Sequence, residues 1–338
     1  MEQSPGSLFM GTWFAGLVRY DKQTNSFNRI AKLVDGKPAY NYGTLDIQLY
    51  ADSLLYLACM NQGLLSYNIN SQIISEKLTQ KDVPQLNAQI NIQRVSIAGS
   101  SGFFAGGNAA VYQLPVQGNR FGNNYFYQVP EIYPGQENHF TAVQYDAIRN
   151  CYWATCSNFA GVIAYNEDFY LLKLYPSSNK KQIFEELALD KKGRLWVIDR
   201  LRKMQYLETV SGKFISADSI QTKSNQQLGN GYHEIEADAK GNLWLAGKNK
   251  LLYMDVNNDD CYEFTLPKHE IINQSANGIE FLSLRTDEQC NAWMATNIGL
   301  IHFDPASRQV NYYHASKQTV FPLASSSIKS ISIDKENN

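Results

Sequence analysis

A pattern of about 47 residues recurs seven times along this 338-residue chain. Its three clearest copies begin with Asp190, Asp238 and Asp287, and each continues through a short turn to a Trp. The second and third copies then reach Leu251-Leu252 and Gly299-Leu300. One aromatic position recurs at intervals of 47, 48, 49, 43, 48 and 49 residues, at Phe9, Tyr56, Phe104, Trp153, Trp196, Trp244 and Trp293. A repeat of this length predicts an array of similar units.

Each unit has the pattern of short β-strands. Apolar and aromatic stretches of four to seven residues alternate with turn-forming residues, and Asp-x-x-Gly at 190–193 and 238–241 is typical of a tight hairpin. Four antiparallel strands at this period match one propeller blade. We therefore predict an all-β fold, a seven-bladed β-propeller that fills residues 1–338 as one domain. The predicted blades are 7–30 with 327–334, 43–78, 91–129, 139–175, 184–217, 232–266 and 278–314.

The two ends of the chain predict how the ring closes. The first copy starts at its second strand, and the segment 327–334 has the pattern of an inner strand with nothing after it. We expect this C-terminal strand to complete blade one, so that no sheet edge is left open to aggregation. The recurrent aromatic residues should lie between adjacent blades, and the recurrent Asp should accept hydrogen bonds from its own turn.

The repeat motif of this chain resembles that of a known family. Asp-x-x-Gly-x-Leu-Trp followed by Gly-Leu-x-x-Tyr/Phe-Asp is similar to the two-component regulator propeller repeat, most closely in blades five to seven. The resemblance implies the periplasmic sensor region of a hybrid two-component system of the Bacteroidetes type, the ectodomain of an inner-membrane protein. It also implies an oligosaccharide ligand released from a polysaccharide, no catalysis by this chain itself, and an adjoining ectodomain or a dimer mate as partner.

Loops at one face of a propeller usually carry ligand contacts. Aromatic and imidazole side chains in the predicted loops are Trp13, Phe14, Tyr42, His139, Phe159, Tyr232 and His233. Trp13-Phe14 lies outside the recurrent column, which favours stacking on a ligand or a partner, with ordinary packing as the alternative. Asn-rich loop segments suit either a sugar or turn formation.

Cations cluster in equivalent loops of blades five and six. They are Arg200, Arg202, Lys203, Lys248 and Lys250. In a chain with a net charge of −2, this cluster is a candidate site for the carboxylate or sulfate of an acidic oligosaccharide. The alternative is a solvated rim where such charges contribute little.

Composition excludes several other classes. A near-neutral charge argues against a nucleic-acid partner, and no apolar run is long enough for a membrane span. The N-terminus has no signal-peptide pattern. The five Cys and five His lack ligand spacing, so we expect neither a metal nor another cofactor.

Two further functions stay open. One is a protein-interaction scaffold, which would present a broad apolar patch. The other is a propeller lyase or hydrolase that acts on a sugar or ester, which would need His and carboxylates gathered near the axis.

Overall fold

The structure is a computed structural model of the chain. It describes residues 7–13, 15–21, 24–30, 43–50, 53–60, 62–78, 92–98, 101–106, 110–115, 125–128, 140–157, 159–167, 170–219, 230–247, 250–265, 279–314 and 327–333.

Seven four-stranded antiparallel sheets make up the described chain. The first sheet contains β1 (Ser7–Thr12), β2 (Gly16–Asp21), β3 (Ser26–Ile30) and the C-terminal β28 (Ile328–Ile333). The second has β4 (Gly43–Tyr50), β5 (Leu54–Met60), β6 (Gly63–Asn68) and β7 (Ile73–Leu78). The third has β8 (Ile92–Ala98), β9 (Ser101–Gly106), β10 (Ala110–Pro115) and β11 (Tyr125–Gln128).

The remaining sheets follow the same order. The fourth has β12 (Phe140–Asp146), β13 (Cys151–Cys156), β14 (Phe159–Asn166) and β15 (Leu171–Pro176). The fifth has β16 (Phe184–Leu189), β17 (Leu195–Asp199), β18 (Met204–Glu208) and β19 (Lys213–Ser216), before a 3₁₀ turn at Ala217–Ser219. The sixth has β20 (Tyr232–Ala237), β21 (Leu243–Gly247), β22 (Lys250–Asp255) and β23 (Asp260–Thr265), and the seventh has β24 (Phe281–Thr286), β25 (Ala292–Thr296), β26 (Gly299–Asp304) and β27 (Gln309–Tyr313).

One edge strand of each sheet faces the centre of a closed ring, and we call it the inner strand. In order around this ring, β28, β4, β8, β12, β16, β20 and β24 each contact the next, and β24 returns to β28. Sheet one is completed by pairing of β28 with β1, in which Leu8 lies opposite Ile333 and Met10 opposite Ile331. This pairing joins the two ends of the chain and covers the edge of β1.

Side chains are described for most strands of six sheets. In the sheet β8–β11, the backbone pairing is described, but side chains are described only for Ile92 and for 94–96. The side chain of Phe104, predicted to belong to the aromatic column, lies outside the described residues.

Five residues of the aromatic column, described below, lie in apolar clusters between adjacent blades, as predicted. Trp196 of blade five packs with Tyr232, Ile235 and Leu252 of blade six and is fully buried. Equivalent clusters surround Trp153, Trp244, Trp293 and Phe9, each with residues of the next blade. Replacement of a buried aromatic side chain of this size by Ala costs about 3–5 kcal/mol of stability.

The recurrent Asp accepts hydrogen bonds from its turn, again as predicted. Asp190 accepts bonds from Arg194 N (2.9 Å), Arg194 Nε (2.6 Å) and Trp196 Nε1 (2.8 Å). The indole of the recurrent Trp also donates to the recurrent Asp in blades four and seven. Blade six is the exception, because the Asp238 carboxylate accepts only turn N–H groups, and both Asp238 Oδ2 and Trp244 Nε1 are buried without a hydrogen bond.

The fourth residue of these turns has a left-handed backbone. Gly193 and Gly241 have φ angles of 73° and 69°, which glycine adopts without steric cost. Blade seven has Cys290 at the same place with φ 64°. All three residues donate a backbone hydrogen bond to the recurrent Asp carbonyl. The turn geometry is therefore set by the repeat, and Cys290 adopts it at a conformational cost.

Candidate functional site

All seven inner strands carry a β-bulge at the same place. Their pairing with the neighbouring strand shifts by one residue near the strand start. Each shift leaves one extra residue without a partner, namely Leu45, Gln93, Thr141, Glu185, His233, Leu282 and Lys329. Bulges commonly re-aim side chains next to functional sites. Here they place seven non-repeated residues around one end of the ring.

A cavity of about 380 Å³ opens at this end. Six of the extra residues line it, all except Gln93, whose side chain is outside the described set. Trp13 and Arg202 reach the same cavity from loops, and the Lys329 ammonium lies 5.0 Å from the centre of the Trp13 ring. We call this cavity the channel mouth. Its volume lies within the range of small-molecule sites, roughly 300–1,000 Å³.

A narrower space of about 90 Å³ continues along the inner strands. Its charged lining residues are Asp46, Arg94, Glu186, Glu234, Glu236, Arg285 and Lys329. Arg94, Glu186, Glu234 and Lys329 line both spaces. The centre of the ring is therefore polar and carries both signs of charge.

Most of these charges are paired across blades. Arg94 lies 3.6 Å from Glu186, and Arg285 lies 3.4 Å from Glu236 and 4.0 Å from Asp46. Each pair joins inner strands that are distant in the chain. These side chains are partly exposed, and each pair compensates part of the cost of removing its charges from water.

Arg200 and Arg202 share one carboxylate. Arg200 Nε donates to Glu185 Oε1 over 3.0 Å, and Arg202 Nη1 donates to Glu185 Oε2 over 2.9 Å. Both arginines are thus engaged by a carboxylate of the chain itself. An acidic ligand at this place would have to compete with Glu185.

Burial shifts the acid–base properties of the channel. It raises the pKa of Glu186 to about 7, against the opposing effect of Arg94 and Arg285. Burial and the neighbouring Glu186 raise the pKa of Glu234 well above its ordinary value. Burial and the nearby Arg202 lower the pKa of His233. Perturbed titratable groups in one cavity are typical of a functional site.

The structure brings three of the predicted site residues together at the channel mouth: Trp13, Arg202 and His233. Phe159 and Tyr232 begin strands instead and are buried, each within an apolar cluster of strand residues. The Tyr232 hydroxyl donates to Glu263 over 3.2 Å.

The remaining predicted residues lie elsewhere or outside the described residues. Arg200 and Lys203 are exposed. Lys250 lies 4.2 Å from the Tyr232 ring centre and 3.4 Å from Glu263. Phe14, Tyr42, His139 and Lys248 lie outside the described residues.

Sequence reasoning missed the inner-strand charges. Glu185, Glu186, Glu234, Arg94 and Arg285 stand within short apolar strands, as in Phe184-Glu-Glu-Leu187 and Tyr232-His-Glu-Ile235. The signal was the alignment of repeats at the first strand, where one position changes chemistry from blade to blade. His233 has carboxylate neighbours that its sequence position does not reveal, because Glu185 and Glu280 both act on its imidazole.

No known family profile matches the chain, and no curated protein matches it either. Solved structures do. The extracellular domain of BT4673, a Bacteroides thetaiotaomicron protein assigned to the hybrid two-component systems, has a TM-score of 0.55 at 18% identity. The match covers 96% of this chain and 41% of that one, so the chain spans about two fifths of that ectodomain.

Two enzymes have the same architecture. A streptogramin B lyase has a TM-score of 0.60 at 14% identity and covers 81% of this chain and 84% of its own. A Bacteroides fragilis protein assigned as a 6-phosphogluconolactonase has a TM-score of 0.60 at 11% identity, with 98% of both chains covered. At these identities the likeness shows the propeller fold, which this chain shares with ectodomains of hybrid two-component sensors.

The part of the chain whose placement is described contains no helix long and apolar enough to cross a membrane.

Proposed function

We propose that this chain is a ligand-sensing propeller, the extracytoplasmic part of a hybrid two-component sensor, and that it binds an oligosaccharide at the channel mouth without catalysis. The observation that carries this proposal is the ring of seven bulges, which directs non-repeated side chains into one cavity. Structural roles account for the repeated residues, whereas residues that differ between blades at one place are those that a specific ligand requires.

The chemistry of the channel mouth suits a short saccharide. Trp13 offers a flat apolar face, and Thr141, Glu185 and His233 offer hydrogen-bonding groups around it. A volume of about 380 Å³ accommodates a ligand of roughly one to two sugar rings. Sugars combine apolar ring faces with many hydroxyls, so this mixture matches their surface.

The likeness to the BT4673 ectodomain supports the sensor assignment and the periplasmic location. Because seven joined blades form a rigid unit, the ligand would act by favouring one arrangement of this propeller with its neighbour. Such a shift is limited by the difference between the ligand's affinities for the two arrangements.

A thermal-shift screen with neutral and acidic oligosaccharides, followed by calorimetry on the hits, tests this proposal. A true ligand at 100 times its Kd stabilises the fold by about 2.7 kcal/mol. The variant Trp13→Ala should weaken binding about tenfold or more, while the control Tyr262→Ala, on the exposed outer strand β23, should leave it unchanged. No stabilisation by any oligosaccharide, or equal effects of the two variants, would refute the proposal.

One observation favours a second candidate, a lyase or hydrolase. His233, Glu185 and Glu234 line the same cavity near the axis, as acid–base catalysis requires, and two of the similar structures are enzymes. Turnover of a sugar or ester that is lost in both His233→Ala and Glu234→Gln would favour this candidate over the sensor.

A further inference from the structure

Glu185 lines the channel mouth as the extra residue of the bulge in β16. Two arginines from the loop between β17 and β18 hold its carboxylate, since Arg200 Nε donates to Oε1 over 3.0 Å and Arg202 Nη1 donates to Oε2 over 2.9 Å. Each oxygen thus accepts one hydrogen bond from the described chain. A carboxylate has about four acceptor positions, so both oxygens can accept a further hydrogen bond.

The loop that carries these arginines is itself fixed by hydrogen bonds. Arg202 has a left-handed backbone with φ 63°, which residues other than glycine rarely adopt. Its N–H donates to Asp199 O over 2.8 Å, and its carbonyl accepts from Gly231 N over 2.9 Å. The buried Asp199 carboxylate also accepts from Lys203 N over 2.9 Å. These contacts hold the strained turn in the one conformation that directs Arg202 toward Glu185.

The held carboxylate is accessible from the cavity. The Glu185 side chain is 25% exposed and lines the channel mouth. Because both of its oxygens are already bound in one orientation, little conformational freedom is lost when a ligand binds to it. An ionised carboxylate only accepts hydrogen bonds, and hydroxyl groups are the donors that a neutral sugar supplies. Such bonds to a charged acceptor are stronger than bonds between neutral groups.

An acid group of a ligand would meet this carboxylate on blade five. Any acid group that approaches Arg202 there comes close to Glu185, which already binds it. Arg94, another cation of the cavity, lies 3.6 Å from Glu186. Lys329 stands on blade one, and blades six and seven lie between it and blade five around the ring. Selection at blade five is therefore governed by Glu185.

We infer that Glu185 is the specificity-determining residue of the channel mouth. It accepts hydrogen bonds from two neighbouring hydroxyls of a neutral sugar ring, and it disfavours a ligand that brings a carboxylate or sulfate to blade five. Arg200 and Arg202 are then positioning residues, which hold Glu185 instead of an acid group of the ligand. Like charges placed side by side disfavour the wrong ligand. The inference rests on the proposed function, because it specifies the ligand of the same cavity.

The experiment compares disaccharides that differ in one charged group. Cellobiose, maltose and lactose are each paired with the acid counterpart whose non-reducing ring carries a carboxylate at its sixth carbon. Calorimetry at neutral pH measures the affinity of each member. We expect the native protein to bind the neutral member of a pair at least about tenfold more tightly than its acid counterpart.

Salt distinguishes repulsion by Glu185 from attraction by the cations of the cavity. Between about 0.1 M and about 1 M salt, the screening length falls from about 10 Å to about 3 Å. Repulsion by Glu185 predicts that the acid counterpart binds more tightly at high salt, so that the preference narrows. Attraction by Lys329 or by an arginine predicts weaker binding of the acid counterpart, and this result would overturn the inference. The comparison uses the native protein, so it does not depend on the folding of a variant.

Two variants complete the test. Glu185→Gln, whose folding is checked by its melting curve, removes the charge and releases one arginine for the acid group. It should reduce the preference for the neutral disaccharide to below about threefold. Glu263→Gln removes another accessible carboxylate that is paired with a cation, Lys250, but lies on the outer strand β23. This control should retain the full preference.

Three results would overturn the inference: equal affinities within the pairs for the native protein, an unchanged preference in Glu185→Gln, or no binding by any of the six disaccharides. Binding of any other oligosaccharide in the screen, or of a disaccharide without the expected preference, leaves the proposed function standing. Failure of the whole oligosaccharide screen refutes both.

Discussion

The recurrent Asp allows a stability comparison between two equivalent positions of the same protein. Asp190 in blade five and Asp238 in blade six occupy the same turn, and both are nearly fully buried, at 4% and 5% exposure. They differ in one respect. Asp190 Oδ2 accepts bonds from Trp196 Nε1 and Arg194 Nε, whereas Asp238 Oδ2 accepts none.

Substitution of each Asp by Asn should have unequal effects. In Asp190→Asn, either orientation of the amide sets its NH₂ group against an N–H donor, because both oxygens of the native carboxylate accept hydrogen bonds. With the NH₂ group at the Oδ1 position the bond from Arg194 N is lost, and at the Oδ2 position the bonds from Arg194 Nε and Trp196 Nε1 are lost. At about 1.5–3 kcal/mol for each bond to a charged acceptor, we expect a loss of about 1.5–6 kcal/mol. In Asp238→Asn, the amide oxygen keeps the turn bonds and the NH₂ replaces an unbonded atom, so we expect a loss below about 1 kcal/mol.

Differential scanning calorimetry measures this contrast directly. An unfolding entropy of about 2.1 cal/mol/K per residue, applied to this chain, gives about 0.7 kcal/mol per degree. Asp190→Asn should therefore lower the Tm by about 2–8 °C, and Asp238→Asn by less than about 2 °C. Urea unfolding followed by tryptophan fluorescence provides an independent value. Equal shifts for the two variants, or a larger shift for Asp238→Asn, would show that the hydrogen bonds to Asp190 Oδ2 are not what distinguishes the blades.

Four further predictions follow from the same structure. Cys290→Gly should raise stability by about 1 kcal/mol in urea unfolding, since glycine adopts the left-handed backbone of that turn without steric cost, and a loss of stability would contradict this. Deletion of 327–338 removes Ile328 and Ile331, both fully buried, and should lower the Tm by at least about 4 °C and cause association detectable by light scattering. A monomer of unchanged Tm would show that β28 is not needed to close the ring. Burial raises the pKa of Glu186 from 4.5 to about 7, so between these pH values the folded state holds a proton that the unfolded chain has released. Stability should therefore fall as the pH rises through this range, and Glu186→Gln should flatten the curve of Tm against pH. Arg202→Ala should weaken oligosaccharide binding about fivefold or more by calorimetry, whereas the exposed Arg200→Ala should change it less than about twofold, and the reverse order would place the ligand on the outer rim.

Much of the blade architecture could be predicted from the repeat. Hydrophobic alternation and Asp-x-x-Gly turns are local signals, so strands and hairpins follow from neighbouring residues. The aromatic column could be assigned to the spaces between blades because a large apolar side chain that recurs in every unit has to be buried against the next unit. Trp153, Trp196, Trp244 and Trp293 all lie there.

Candidate site residues were harder to predict, because loops were the expected place for ligand contacts. Trp13, Arg202 and His233 do line the channel mouth, but Phe159 and Tyr232 are core residues whose size at the start of a strand resembled a binding aromatic. The bulges could not be predicted, since a one-residue register shift leaves no mark on a short strand's apolar pattern.

The sequence by itself determined the repeat unit, the strand-and-turn order and the residues that bury the blade interfaces, because these depend on contacts within a unit or on a side chain present in every unit. Only the tertiary structure decided which charges meet at the axis. Arg94 and Glu186, or Glu236 and Arg285, lie one or two repeats apart in the chain, and closure of the ring brings them within 4 Å of each other. Whether a charge is paired depends on its neighbours around the ring, which no single repeat contains.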